Sequence, residues 1–257
     1  MDGFMAGGDW TERVSYEDDY EYIARNVARV RADISEVCHA VGHDPNRVTL
    51  LAAVKTANVE QINFLHRKGG VCCVGENRVR QLTDRYEQLA REGLRLHFIG
   101  SLQTNKVKYI IDKVDMIESL DSDGLAAELQ RQALKHDRTV DVLIEINIGR
   151  EPTKGGVMPE DADAFVRTVC EGYDRLRVKG FMTMAPKGDE RSYRTMFGNM
   201  RRLSERLWSL TPQRDSPMVL SMGMSDSYRY AVAEGATLIR VGRALFQRDE
   251  GQTPVGK

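Results

Sequence analysis

A lysine closing an apolar, β-type run is the residue here whose placement most invites chemistry. Lys55 ends the apolar stretch in LAAVKTANVE. A lysine at the mouth of an apolar parallel strand is expected to be partly desolvated, which lowers its pKa and frees the neutral amine. A neutral amine attacks aldehydes, so Schiff-base chemistry is one reading. A lysine paired with a rim carboxylate is the other, and the residues alone leave both open. Arg240 lies inside a second apolar run, LIRVG, where an unpaired guanidinium is costly. It must meet either a carboxylate or a ligand. His97 is alone on its strand and reads more readily as a satisfied core histidine than as a catalyst. The stretch SMGMSDSYRYAVAEG reads as a loop entering a helix, with Ser225 and Asp226 as caps and backbone N–H groups directed outward. Gly242 allows a second close backbone approach after the last strand. Barrels often bind phosphate between their last two loops, although ordinary capping and a tight turn account for the same residues.

The elements that must position these groups follow from periodicity. Tyr20, Ile23, Val27, Val30, Ile34 and Val37 recur at steps of three and four, the apolar stripe of a long helix ended by Gly42. Short β-rich runs follow at 48–54, 71–74, 95–99, 114–118, 140–147, 177–183, 218–222 and 237–241. Between them lie helical stripes: Val107, Ile110, Ile111 and Val114; then Leu125, Leu129 and Ala133, behind Asp121, Ser122 and Asp123 as candidate N-caps. Phe165, Val166 and Val169 form the next, and Met196, Phe197, Met200, Leu203 and Leu207 the clearest. Eight strands alternating with helices is the count of a closed (β/α)8 (TIM) barrel, preceded here by a long N-terminal helix. No G-x-G-x-x-G or G-x-x-x-x-G-K-[ST] fingerprint supports an open nucleotide-binding sheet. In a parallel barrel the active groups gather where strands end. Those positions hold Lys55, then Gly75, Glu76 and Asn77, His97, Asn147, Met182 and Thr183, Ser221, Gly223 and Ser225, and Arg240 with Gly242.

Composition narrows the classes. With 257 residues the chain can form one barrel, and Lys+Arg 37 against Asp+Glu 38 offers no general attraction for nucleic acid or an anionic membrane. Cys38, Cys72, Cys73 and Cys170 show no zinc spacing and read as buried, reduced thiols. No metal site, G-x-S-x-G elbow, secretory signal or membrane-length apolar run is present. The expected location is the cytoplasm. Residues 1–16 read as a disordered tail, 17–250 as the barrel and 251–257 as a C-terminal tail.

These residues resemble a known family, the pyridoxal phosphate homeostasis proteins, which are related to the N-terminal barrel of alanine racemase. The resemblance rests on AVKT at 53–56, GENRV at 75–79, HFIGSLQTNK at 97–106 and EINI at 145–148. It continues through KGG at 154–156, KGFMTM at 179–184, LSMGMSDSY at 220–228 and IRVGRALF at 239–246, in order along the chain. It implies that the cofactor pyridoxal 5′-phosphate is held as a reversible Schiff base on Lys55, for storage, transfer or regulation rather than catalytic turnover. Asn77 would lie beside the cofactor ring, with His97 and Met182 also at the site. Ser221, Gly223, Gly242 and Arg243 would supply phosphate contacts, and Arg240 would face the pyridine nitrogen.

A cationic arginine there disfavours protonation of the ring nitrogen and weakens the electron sink. Alanine racemase adds a second domain with an opposing tyrosine base, and no such domain is expected to follow the eighth strand here. The implied partners are the cofactor itself and apo pyridoxal phosphate enzymes as recipients, with no nucleic acid or membrane, and the implied state is a monomer. A small amino-acid racemase and a Schiff-base aldolase are the alternative readings. Three positions depart from the family pattern: Ala57 where a second lysine is usual, Arg243 where threonine or serine is common, and Gln247 in place of a frequent glycine.

Overall fold

Between Thr11 and Val41 the sequence contains neither glycine nor proline, so nothing interrupts an i→i−4 ladder. The structure, a computed structural model, describes residues 11–248, and helix α1 fills that interval, Thr11–Val41. It stops where Gly42 takes φ +72, the left-handed cap that glycine adopts at little cost. Residues 11–16 are therefore helical where a tail was expected. Residues 1–10 and 249–257, including the expected C-terminal tail, lie outside the described residues. Ile23, Val27, Val30 and Ile34 of the expected stripe are buried, and Tyr20 and Val37 pack at its edge.

Eight parallel strands follow: β1 Thr49–Ala53, β2 Cys73–Glu76, β3 Arg95–Phe98, β4 Met116–Leu120, β5 Val140–Glu145, β6 Leu176–Met182, β7 Val219–Ser221 and β8 Leu238–Val241. They pair in sequence order, and β8 returns to β1 through Leu51↔Arg240 and Ala52↔Val241, which closes the barrel. The connecting helices are α2 Val59–Arg67, α3 Val79–Arg85, α4 Asp123–Lys135, α5 Ala162–Gly172, α6 Glu190–Trp208, α7 Tyr228–Ala233 and α8 Arg243–Phe246. One expected helix is missing. The stripe from Val107 to Val114 is served by a short 3-10 segment, Thr104–Tyr109, whose three-residue period still buries Val107, Ile110 and Ile111. Ser122 is the N-cap of α4, but its side chain makes no capping bond.

Strand alternation divides the core in two. Outward residues pack beneath the helices in one large apolar cluster. Inward residues fill the barrel with Leu51, Cys73, Ile99 and Leu238 in one group and Met116, Leu143 and Met182 in another. Two residues further along β4, β5, β7 and β8 the filling turns polar, with Glu118, Glu145, Ser221 and Arg240, and His97 of β3 joins them; all five are buried. The same alternation corrects the cysteine reading. Cys73 opens β2 facing inward and is buried, whereas Cys72 precedes the strand and is exposed.

Helix α1 is fastened to the closing end of the barrel. Asn26 Nδ2 donates to the carbonyls of Leu245 (3.1 Å) and Gln247 (2.9 Å). Arg229 donates to Asp33 at 2.6 Å and to Glu36 at 3.0 Å, and Tyr228 donates to Asp33. The long helix thereby braces α7 and α8, the two elements that follow the last two strands.

Candidate functional site

Lys55 lies in the turn after β1, two residues past Ala53, and its side chain is exposed. The expected desolvation is therefore absent, because the strand ends before the lysine and lifts it onto the open rim. Among the described residues it has no carboxylate partner, so the ion-pair reading has no support. The turn itself is rigidly held. Val54 N–H donates to Gly75 O at 3.0 Å. The buried Arg85 guanidinium donates to Ala57 O (2.9 Å) and Val54 O (3.3 Å) while pairing with Glu76. Glu76 thus points away from the barrel mouth, and its carboxylate holds the arginine that holds the lysine turn.

A cavity of about 550 Å3 opens beside Lys55, lined by Asn77, Arg78, Ile99, Ser101 and Met184 among others. Asn77 Oδ1 is shielded from solvent and accepts no hydrogen bond. The backbone there is set by Gly100, where a Cβ would stand 2.2 Å from Asn77 O, so only glycine lets the segment after β3 pass so close.

Beneath the rim the polar layer forms one network. Arg240 Nη1 donates to Ser221 Oγ at 2.6 Å, Arg240 Nη2 donates to Thr183 O at 2.7 Å, and Ser221 Oγ donates to Glu118 at 2.6 Å. His97 Nδ1 lies 2.7 Å from the other Glu118 oxygen. Burial disfavours a charge on His97, but hydrogen bonds to Cys73 and Glu118 push its pKa up to about 10. Burial likewise opposes the Glu118 carboxylate, yet His97, Arg240 and Ser221 hold it below the ordinary range. Glu145 has weaker support. Burial and the neighbouring Asp121 raise it to about 7, only partly countered by Arg240. Burial pulls the Arg240 guanidinium down, against the attraction of Glu118 and Glu145.

On the far side of Lys55, the turns after β7 and β8 meet. Ser225 Oγ accepts from Gly242 N–H (3.3 Å) and from Ala244 N–H (3.4 Å). Gly223 has φ +92, and a Cβ there would lie 2.5 Å from the Ala231 methyl. Arg243 turns aside to pair with Asp226, joining the two loops at the surface.

These positions sort the expected site residues. Lys55, Asn77, Gly223, Gly242 and Arg243 stand at the C-terminal rim, and Arg240 lies in the layer below. His97 is committed to Glu118, as a satisfied core histidine. Met182 packs inside the barrel with Met116 and Leu143, level with Glu145 and Ser221 in the strand register, and Met184 lines the cavity. The Ser221 hydroxyl sits between Arg240 and Glu118. Ser225 was read as a cap, but Ser227 is the N-cap of α7 and Ser225 bridges the two turns. Among the described residues no His/Cys/Asp/Glu group could hold a metal ion, and no helix is long and apolar enough to cross a membrane.

Fold and site together define a (β/α)8 barrel whose one polar mouth carries a free lysine and a buried arginine. The alanine racemase N-terminal domain profile matches residues 19–249. The pyridoxal phosphate homeostasis protein of Aquifex aeolicus is 40% identical over 224 residues, covering 86% of this chain and 95% of that protein. The Escherichia coli protein of the same name is 34% identical over 232 residues, covering 87% and 95%. A structure of PipY from Synechococcus elongatus with PLP bound has a TM-score of 0.74 at 30% identity, covering 87% of this chain and 99% of that one. Alanine racemase of Corynebacterium glutamicum shares the fold, with a TM-score of 0.64 at 12% identity over 92% of this chain and 64% of that one. The chain belongs to the alanine racemase N-terminal domain family and, within it, to the pyridoxal phosphate homeostasis proteins.

Proposed function

We propose that this protein holds pyridoxal 5′-phosphate as a reversible Schiff base on Lys55 and serves the intracellular homeostasis of that cofactor without a turnover of its own. The observation that carries the reading is an exposed lysine with no carboxylate partner among the described residues, in a turn fixed by Arg85 and Glu76 at the rim of a cavity that also holds an unpartnered amide oxygen.

The residues present suit the group. The bound cofactor would supply an aldehyde with which the Lys55 amine would condense, with loss of water. Because the mouth is open, water can return and release both. Gly242 and Ala244 N–H groups, now shared by one serine hydroxyl, are suited to an anion's oxygens. Asn77 Oδ1 offers an acceptor to a ring hydroxyl. Arg240, pinned by Ser221 and Thr183, would disfavour a proton on the pyridine nitrogen of a bound cofactor. That suits retention and release better than carbanion chemistry. The names of the relatives and the PLP-bound PipY structure support the same assignment. On this reading the protein is a cytoplasmic monomer whose recipients are apo pyridoxal phosphate enzymes.

The test is spectroscopic. Loaded protein should absorb in the violet and gain one borohydride-fixed pyridoxyl group by mass, and Lys55→Ala should abolish both. An undiminished adduct in Lys55→Ala would overturn the assignment and direct attention to Lys154.

A further inference from the structure

Beside the Lys55 cavity lies a second one, of about 560 Å3, reached across a shared wall. Asn77, Arg78 and Ser101 line both cavities. The second is otherwise formed by α3 and the loop after β3, and its charged lining is entirely cationic: Arg78, Arg80 and Lys106. Arg78 and Lys106 have no carboxylate partner among the described residues. Arg80 has only an exposed i,i+4 pair with Asp84 at 3.5 Å, the kind that contributes little. Lys106 lies 5.8 Å from the centre of the Tyr109 ring, and both residues line the cavity. Ser101 adds a hydroxyl donor, whereas the Thr83 hydroxyl is donated to Arg80 O at 3.0 Å. Like charges gathered round one concavity repel each other unless an anion enters.

From these residues we infer that this second cavity is an anion subsite for a small phosphate monoester. Two guanidiniums, an ammonium and the Ser101 hydroxyl match the three acceptor oxygens and near-double charge of such a group better than they match a carboxylate. The subsite is distinct from the paired turns at Ser225 and Gly242. Strand β1 pairs with β2 on one side and β8 on the other, so Lys55 stands between the two anion-binding places. An occupant of the cationic cavity contacts Arg78 and Asn77, and thereby alters access to Lys55. Binding itself does not depend on the Schiff-base reading; the coupling to Lys55 rests on it.

The experiment uses the full chain in two states, untreated and loaded with pyridoxal phosphate then reduced with borohydride. Phenyl phosphate, inorganic phosphate and succinate are titrated into each by calorimetry. The expected result is saturable binding of phenyl phosphate to both states, weakening with salt, with succinate much poorer. Lys106→Gln and Arg78→Gln should each weaken it by at least about tenfold, the loss expected of one charge-assisted contact. Both side chains line an open cavity, so unchanged thermal melting confirms that the variants fold. No saturable binding, binding unmoved by either variant, or succinate binding equal to phenyl phosphate would each overturn the subsite. Failure of the Lys55 adduct to form is read separately, by mass, and leaves the titration of untreated protein interpretable.

Discussion

The Arg240 guanidinium and the Ser221 hydroxyl lie 2.6 Å apart inside the barrel, and the serine passes that contact on to Glu118. One hydroxyl thus joins two buried charges that have no other direct link. The arginine keeps its place only while the serine accepts from it and Thr183 accepts from its other nitrogen.

Ser221→Ala should therefore destabilise the protein by about 1.5–3 kcal/mol, the range for a hydrogen bond to a charged group. Urea denaturation reads this as a lower midpoint at unchanged slope. A midpoint shift within experimental error would mean that Arg240 is held by something else.

The carboxylates give opposite pH signatures. Glu145 has a folded pKa of about 7, above its ordinary 4.5. The folded state therefore binds its proton more tightly, and stability falls as pH rises through that window. His97 acts in the same direction over a higher range, since its raised pKa of about 10 contributes stability that is lost above neutrality. Glu118, held low, contributes stability that is lost on acidification. Glu145→Gln should gain on the wild type between about pH 5 and about pH 8, by on the order of 2 kcal/mol. Parallel denaturation midpoints across that range would refute the assignment of the shift to Glu145.

At the paired turns, Ser225→Ala leaves the Gly242 and Ala244 N–H groups without their common acceptor. Their long contacts of 3.3 and 3.4 Å indicate weak bonds, so the fold should lose under about 1 kcal/mol. Cofactor retention should suffer more. Stopped-flow transfer to an apo enzyme should show release accelerated by about tenfold, the value of one lost contact of 1.4 kcal/mol. Unaltered release would remove Ser225 from the phosphate site.

Much of this was legible before any coordinates. Alternating strand and helix signals called for eight strands and the barrel has eight, because inward and outward faces are both apolar at its base and the runs stand out. The position of Lys55 at a strand end was readable for the same reason. Its solvation was not, since two residues of turn beyond Ala53 decide it. Ser221 and Ser225 look alike in LSMGMSDS, yet one faces the barrel axis and the other the neighbouring turn. Only strand register separates them. Met182 and Met184 likewise look alike in GFMTM, yet the first packs with Met116 and Leu143 inside the barrel and the second lines the cavity beside Lys55. The stripe from Val107 to Val114 was misread as an α-helix because a 3-10 segment and the turn after it bury the same residues.

The bonds from Asn26 to the carbonyls of Leu245 and Gln247 link residues 219 and 221 positions apart. A contact of that span cannot form early, because the loop it closes contains nearly the whole barrel. During synthesis the first helix can pack against α2 early, through Tyr20 on Phe64, but its part against α7 and α8 must wait until the eighth strand and its turn have emerged. The same late-arriving segment carries Arg240 and Gly242, so the cofactor-facing wall and the brace across the barrel's seam are completed in one closing step.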